Sequence, residues 1–153
     1  MIVDISDQRV LITGASQGIG RSLAQHFAAD GAHLVLTDLA GRETELVSLA
    51  HELSRAHGIR TWSVCADLAE EDGPGRLFQA VEDMAGPVDI LVNNAGLCWY
   101  GDYARMPTER LEKMVLLNCL GSARLTRLFL PSMIARRSGA VLMVSSVSAF
   151  QPL

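Results

Sequence analysis

Residues 13–20, Thr13-Gly14-Ala15-Ser16-Gln17-Gly18-Ile19-Gly20, decide how the rest of this chain is read. They follow Arg9-Val10-Leu11-Ile12, a β-branched and apolar run expected to form a buried strand. They lead into Arg21-Ser22-Leu23-Ala24-Gln25-His26-Phe27-Ala28-Ala29, where good helix formers at apolar spacing predict a helix. The glycines of a strand-to-helix turn have distinct uses. Gly14 takes a backbone conformation that a side chain forbids, Gly18 leaves room for a phosphate, and Gly20 lets helix and strand pack closely. The unpaired N–H groups and positive dipole end of the new helix then face an anion. Strand, turn and helix together make a cradle for a dinucleotide pyrophosphate, with Ser16, Gln17 and Ile19 as its other loop residues. The spacing is G-x-x-x-G-x-G rather than G-x-G-x-x-G, and no Gly-Lys-Ser/Thr follows, which removes a P-loop. Taken alone, the turn also fits an ordinary glycine-rich connection.

Working outward, Asp30-Gly31 closes the helix and His33-Leu34-Val35-Leu36-Thr37 predicts a second strand ending at Asp38. An acidic residue about 20 positions past the turn hydrogen-bonds the hydroxyls of an adenosine ribose and repels a 2′-phosphate. Asp38 therefore favours NAD over NADP, as does the lack of Arg or Lys at Gln17 and Leu39, while Arg42 blurs the preference. The plainer role for Asp38 is to cap the element that follows, and the two are compatible.

A helix is expected over residues 42–57 with Leu46, Leu49, Ala50 and Leu53 on one face, closed by Gly58. Residues 60–65 alternate as a third strand, which places Asp67 and Leu68 at its carboxyl end. Ligands of open parallel sheets lie outside that end, so Asp67 is a candidate for the adenine, with a helix cap as the competing role. Residues 77–84 predict another helix, and 87–92 a fourth strand covered on both faces. That strand runs into Asn93-Asn94-Ala95-Gly96, small enough for backbone to approach a ligand.

Residues 97–106 read as a loop whose Trp99, Tyr100 and Tyr103 either line a substrate pocket or cover the core edge. One long helix is expected over residues 107–136, apolar nearly all round, with a bend or break at Pro131. One side of it must face the sheet, which leaves the other for a second subunit and predicts a homo-oligomer. Residues 139–146 predict a fifth strand ending in hydroxyls. Strands and helices alternate throughout, so the economical expectation is one α/β domain over residues 1–153, doubly wound about a five-stranded parallel sheet.

Composition agrees. The chain has 153 residues, 49% hydrophobic, and a formal net charge of −4, which with no basic run argues against a nucleic-acid surface. Three cysteines without a C-x-x-C give neither a disulfide framework nor a zinc site, and imply reduced thiols in a cytoplasmic protein. No uncharged stretch reaches membrane-spanning length, and the amino terminus does not read as a signal peptide.

The motifs T-G-x-x-x-G-x-G at residues 13–20, N-N-A-G at 93–96, L-N at 117–118 and V-S-S at 144–146, in this order, resemble the short-chain dehydrogenase/reductase family. The resemblance implies a Rossmann-type sheet and hydride transfer between a nicotinamide and an alcohol or carbonyl carbon. It gives Gly14, Gly18 and Gly20 to the cofactor phosphates, Asp38 to the ribose and Asp67 to the adenine. Asn93 to Gly96 flank the adenine and support the central strand, with Asn94, Ala95 and Gly96 as the cofactor-binding residues. Asn118 matches an asparagine of the proton relay, and Ser146 the serine that orients the substrate oxygen, with Ser145 and Ser148 as rivals. The family's Tyr-x-x-x-Lys is not found in these residues: Tyr100 and Tyr103 precede the serine, and Lys113 is the sole lysine. This departure leads to the expectation of an amino-terminal portion of a longer enzyme acting on a small alcohol or carbonyl substrate. The alternative is a non-catalytic nucleotide-binding or assembly module.

Overall fold

The computed structural model describes residues 4–147 and Phe150. Strands β1 (Arg9–Thr13), β2 (His33–Asp38), β3 (Thr61–Cys65), β4 (Ile90–Asn93) and β5 (Ala140–Met143) alternate with helices. The helices are α1 (Gly18–Ala29), α2 (Glu43–His57), α3 (Gly73–Met84), α4 (Thr108–Val115) and α5 (Ser122–Arg136). All pairings are parallel, in the order β3-β2-β1-β4-β5. This is the expected doubly wound Rossmann-type sheet. The chain winds outward from β1 through β2 to β3, then returns to β4 on the other side, so the switch point lies between β1 and β4.

Alternation along the strands builds the two cores. Val10 and Ile12 of β1 pack with Leu34 and Leu36 of β2 against Ala24 and Ala28 of α1 and Leu46, Leu49 and Leu53 of α2. Leu11, Val35 and Leu91 point the other way, against Leu77 and Val81 of α3 and Leu125, Phe129 and Met133 of α5. Phe78 and Phe129 meet edge to face at 4.9 Å between centroids, fixing α3 on α5.

The expected long helix differs. Between α4 and α5 the backbone widens into a π-helical segment, Leu116–Gly121, with Asn118 inside it. A wider turn shifts the inward stripe, so Leu117, Gly121, Leu125, Phe129 and Met133 face the core. Val115, Leu116, Cys119, Leu120 and Leu130, all expected on buried faces, are exposed. Pro131 does not end α5, which runs on to Arg136 and closes on Arg137 in the left-handed region (φ 53°). Helix α3 starts earlier than expected, with Pro74 in its first turn, where a missing N–H costs nothing. The fifth strand is shorter than expected, and Ser146 lies beyond its end. Ser148 falls outside the described residues.

Candidate functional site

The site is assembled at the carboxyl ends of β1, β2 and β4. Thr13, the last residue of β1, is 1% exposed and acts as a junction. Its Oγ1 donates to the Val92 carbonyl at 3.2 Å and accepts the N–H groups of Asn94 and Ala95, both at 2.9 Å. Asn94 answers with its side-chain amide, which donates to the carbonyls of Thr13 (2.8 Å) and Gly14 (3.1 Å). Two chain segments about 80 residues apart thereby satisfy each other's backbone where the ladder ends. Asn94 thus braces the turn as well as lining the cleft.

The glycines divide their work as the turn requires. Gly14 and Gly18 have φ of 65° and 54°. A Cβ on Gly20 would overlap the Gly14 carbonyl oxygen, and one on Gly14 would lie 3.0 Å from Ala95 Cα. A Cβ on Gly18 would meet nothing within 4 Å. Gly14 and Gly20 therefore serve close packing, while Gly18 opens onto free space. Among the described residues no side chain caps the N-terminus of α1, so its first N–H groups are available to an anion.

A cleft of about 400 Å³ lies over these ends, lined among others by Gly14, Gln17, Gly18, Ile19, Asp38, Leu68, Asn94, Ala95 and Gly96. The sequence singled out all nine of these. Ser16 and Gly20 support it from behind: Ser16 is 3% exposed, and its N–H and Oγ–H donate to Asp38 Oδ2 at 3.1 and 2.6 Å. Asp38 Oδ1 accepts the Leu39 N–H at 2.9 Å, so the carboxylate also starts the next turn. Arg42 lines the cleft, but its guanidinium is engaged by Glu45 at 3.2 Å.

Asp67 stands differently. Its carboxylate pairs with Lys113 Nζ at 2.9 Å and accepts the Ala69 N–H at 2.9 Å. Burial alone would raise its pKa; the hydrogen bond and charge of Lys113, with the Ala69 N–H, outweigh that and hold it below the ordinary carboxylate value. It does not line the cleft, whereas its neighbours Ala66 and Leu68 do. Asn118 reaches across to the loop after β4: its Oδ1 accepts the Leu97 N–H and its Nδ2 donates to the Leu97 carbonyl, both at 2.8 Å. That clamp holds Leu97, which the sequence left as loop, in the cleft wall. Ser145 and Ser146 are exposed beyond β5.

Thr37, Ala66, Leu97 and Leu117 line the cleft without having been singled out for it. For Thr37 and Ala66 the usable signal was position at a strand's carboxyl end. For Leu97 and Leu117 there was none, because the Asn118 clamp and the π segment decide their placement. Thr37 is 1% exposed and its Oγ1 has no partner among the described residues.

A family model described as short chain dehydrogenase matches residues 8–153. Oxidoreductase UcpA of Escherichia coli (strain K12) is 37% identical over 144 residues, covering 94% of this chain and 53% of that protein. Dehydrogenase/reductase SDR family member 7B of Bos taurus is 38% identical over 144 residues, covering 90% and 43%. Among solved structures, L-sorbose reductase from Gluconobacter frateurii, complexed with NADPH and L-sorbose, superposes with a TM-score of 0.91 at 34% identity. That likeness covers 99% of this chain and 57% of the reductase. A short-chain dehydrogenase from Sphingobium yanoikuyae in complex with NADPH gives 0.87 at 32% identity, covering 95% and 56%. The chain spans about half the length of the curated relatives it matches. With the glycine turn, the Asn94 brace and the switch-point cleft in place, and the family match running over residues 8–153, this chain belongs to the short-chain dehydrogenase family.

Proposed function

We propose that residues 1–153 form one dinucleotide-binding domain of a nicotinamide-dependent oxidoreductase that interconverts a small alcohol and its carbonyl compound, with NAD preferred over NADP. The observation that carries this reading is the convergence of Gly14, Gly18, Asp38 and Asn94–Gly96 on one switch-point cleft. Among the described residues the site suits the coenzyme: open space beside Gly18, uncapped N–H groups on α1, and a buried Thr37 hydroxyl without a partner. The N–H groups that open α1 would hold the pyrophosphate, Asp38 would accept from a ribose hydroxyl, and Ala66 and Leu68 would offer an apolar wall to the adenine. Asp67, engaged by Lys113, acts by fixing that wall.

When bound, the coenzyme supplies or accepts a hydride at its nicotinamide. The substrate oxygen gains alkoxide character as hydride arrives, so a hydrogen-bond donor and an acid are needed there. Ser146 is the donor that orients this oxygen, and Asn118 keeps Leu97 and the loop after β4 in place on the same side. The Tyr-x-x-x-Lys that would supply the acid in the family is not among these residues.

The solved relatives named above hold NADPH. Against them, the Asp38 carboxylate lines the cleft and Arg42 is engaged by Glu45, which supports NAD here. Exposed Val115, Leu116, Leu120 and Ile134 support self-association through residues 107–136. Among the described residues no helix is long and apolar enough to cross a membrane. Cys65, Cys98 and Cys119 are free thiols, which supports a cytoplasmic setting.

Titration of the 153-residue chain with NADH, followed by protein fluorescence and paired with a turnover assay on alcohols and ketones, tests the proposal. Saturable binding is expected. Turnover would favour the enzyme over the non-catalytic module, binding without turnover fits either, and absence of binding contradicts both.

A further inference from the structure

The Ser16–Asp38 contact suggests a part for Ser16 that coenzyme binding alone does not assign. The Asp38 carboxylate is held by three donors: Ser16 N–H at 3.1 Å, Ser16 Oγ–H at 2.6 Å and Leu39 N–H at 2.9 Å. The first two come from the glycine turn after β1, and the third from the chain after β2. Ser16 is 3% exposed and does not line the cleft, whereas Asp38 does. Its hydroxyl and amide are both directed at one oxygen of the carboxylate, so they are committed before any phosphate arrives. We propose that Ser16 is a positioning residue for coenzyme discrimination: it latches Asp38 over the ribose end of the cleft and acts through that carboxylate, not on the coenzyme. This rests on the proposed NAD-binding reading.

The physical consequence is specific. The three donors leave one acceptor site of the carboxylate, on Oδ1, preorganised for a ribose hydroxyl, and the same fixed charge opposes a 2′-phosphate. Without Ser16 Oγ, the carboxylate retains only backbone donors and can swing toward solvent. NADH then loses a ready-made acceptor while NADPH loses a fixed repulsion. Ser16 therefore governs the ratio of the two affinities rather than their common level.

Calorimetric titration of the chain and of Ser16→Ala, Ser16→Thr, Asp38→Ala and the Ser16→Ala/Asp38→Ala pair, with NADH and NADPH separately, tests this. Thermal unfolding of each variant checks folding. Ser16→Ala is expected to narrow the preference for NADH by roughly tenfold, the scale of one hydrogen bond to a charged group. Ser16→Thr, which keeps the hydroxyl, should restore the preference, and Ser16→Ala should add nothing on top of Asp38→Ala. The proposal is overturned if Ser16→Ala weakens both coenzymes alike, or leaves the ratio unchanged, while Asp38→Ala shifts it. An unaltered chain that binds neither coenzyme, or both equally, overturns the NAD reading and this proposal with it.

Discussion

Strands β1 and β5 lie on either side of β4 in one sheet, yet they inhabit different surroundings. Val10, Leu11 and Ile12 of β1 are completely buried, with a strand on each side and helices on both faces. Leu142 and Met143 of β5 are 41% and 53% exposed, and among the described residues β5 pairs with β4 alone. Burial on this scale decides where sequence is constrained, since each fully buried aliphatic side chain contributes about 1.5–3 kcal/mol. The cleft was built where the sheet is closed. Its turn needs no flexibility: Thr13, Asn94 and Asp38 tie it to β4 and to the tip of β2. At the β5 margin, Ser146 lies just past the end of the strand.

This contrast can be broken most severely at Gly20. Gly20→Val forces a side chain into the Gly14 carbonyl and the Asn94 amide. Urea denaturation should show a loss of about 4 kcal/mol or more. A loss below 1 kcal/mol would mean that the turn yields far more readily than its packing indicates.

Thr13→Val is expected to come next. It preserves shape but leaves the Asn94 and Ala95 N–H groups facing a methyl, at a cost of about 2–4 kcal/mol by the same measurement. Asp38→Ala should then affect function more than stability, weakening NADH about tenfold while tightening NADPH in a fluorescence titration. Equal weakening of both would leave Asp38 as a cap alone.

At the other margin, Leu142→Thr should shift the urea midpoint by no more than the equivalent of about 0.5 kcal/mol. A large loss there would show that β5 is held as tightly as β1.

The smallest expected effect concerns pH. His33 opens β2, and its Nδ1 accepts the Arg60 N–H at 3.2 Å, which requires a neutral ring nitrogen there. Burial first, then the charge of Arg60, pull its pKa below the ordinary value, against the pull of Asp7. A depressed histidine is stabilising above its unfolded pKa of about 6.5. That contribution is lost as pH falls through the lower, folded value. Denaturation midpoints should decline on acidification across that window, and His33→Gln should flatten the decline.

The central strands were legible because β1 and β2 are sandwiched, so hydrophobic continuity and geometry coincide. The glycine turn was legible because the constraints on Gly14, Gly18 and Gly20 are steric and local. The long helix was read without its π segment, since apolar periodicity reports faces, not which carbonyl each N–H chooses. The helix reads as apolar nearly all round, and the structure sorts those residues, with Leu117 and Leu125 inward and Leu116 and Leu120 outward. From the sequence, Ser16 is a coenzyme-binding residue of the loop. Its contact with Asp38 spans 22 positions and exists only once β1 and β2 are paired.

The most direct measurement is calorimetric titration of the folded chain with NADH and with NADPH. The account predicts saturable heat for both at one site per chain, with NADH the tighter. No heat from either coenzyme on folded protein would contradict the reading of the cleft, and tighter NADPH would contradict the role given to Asp38.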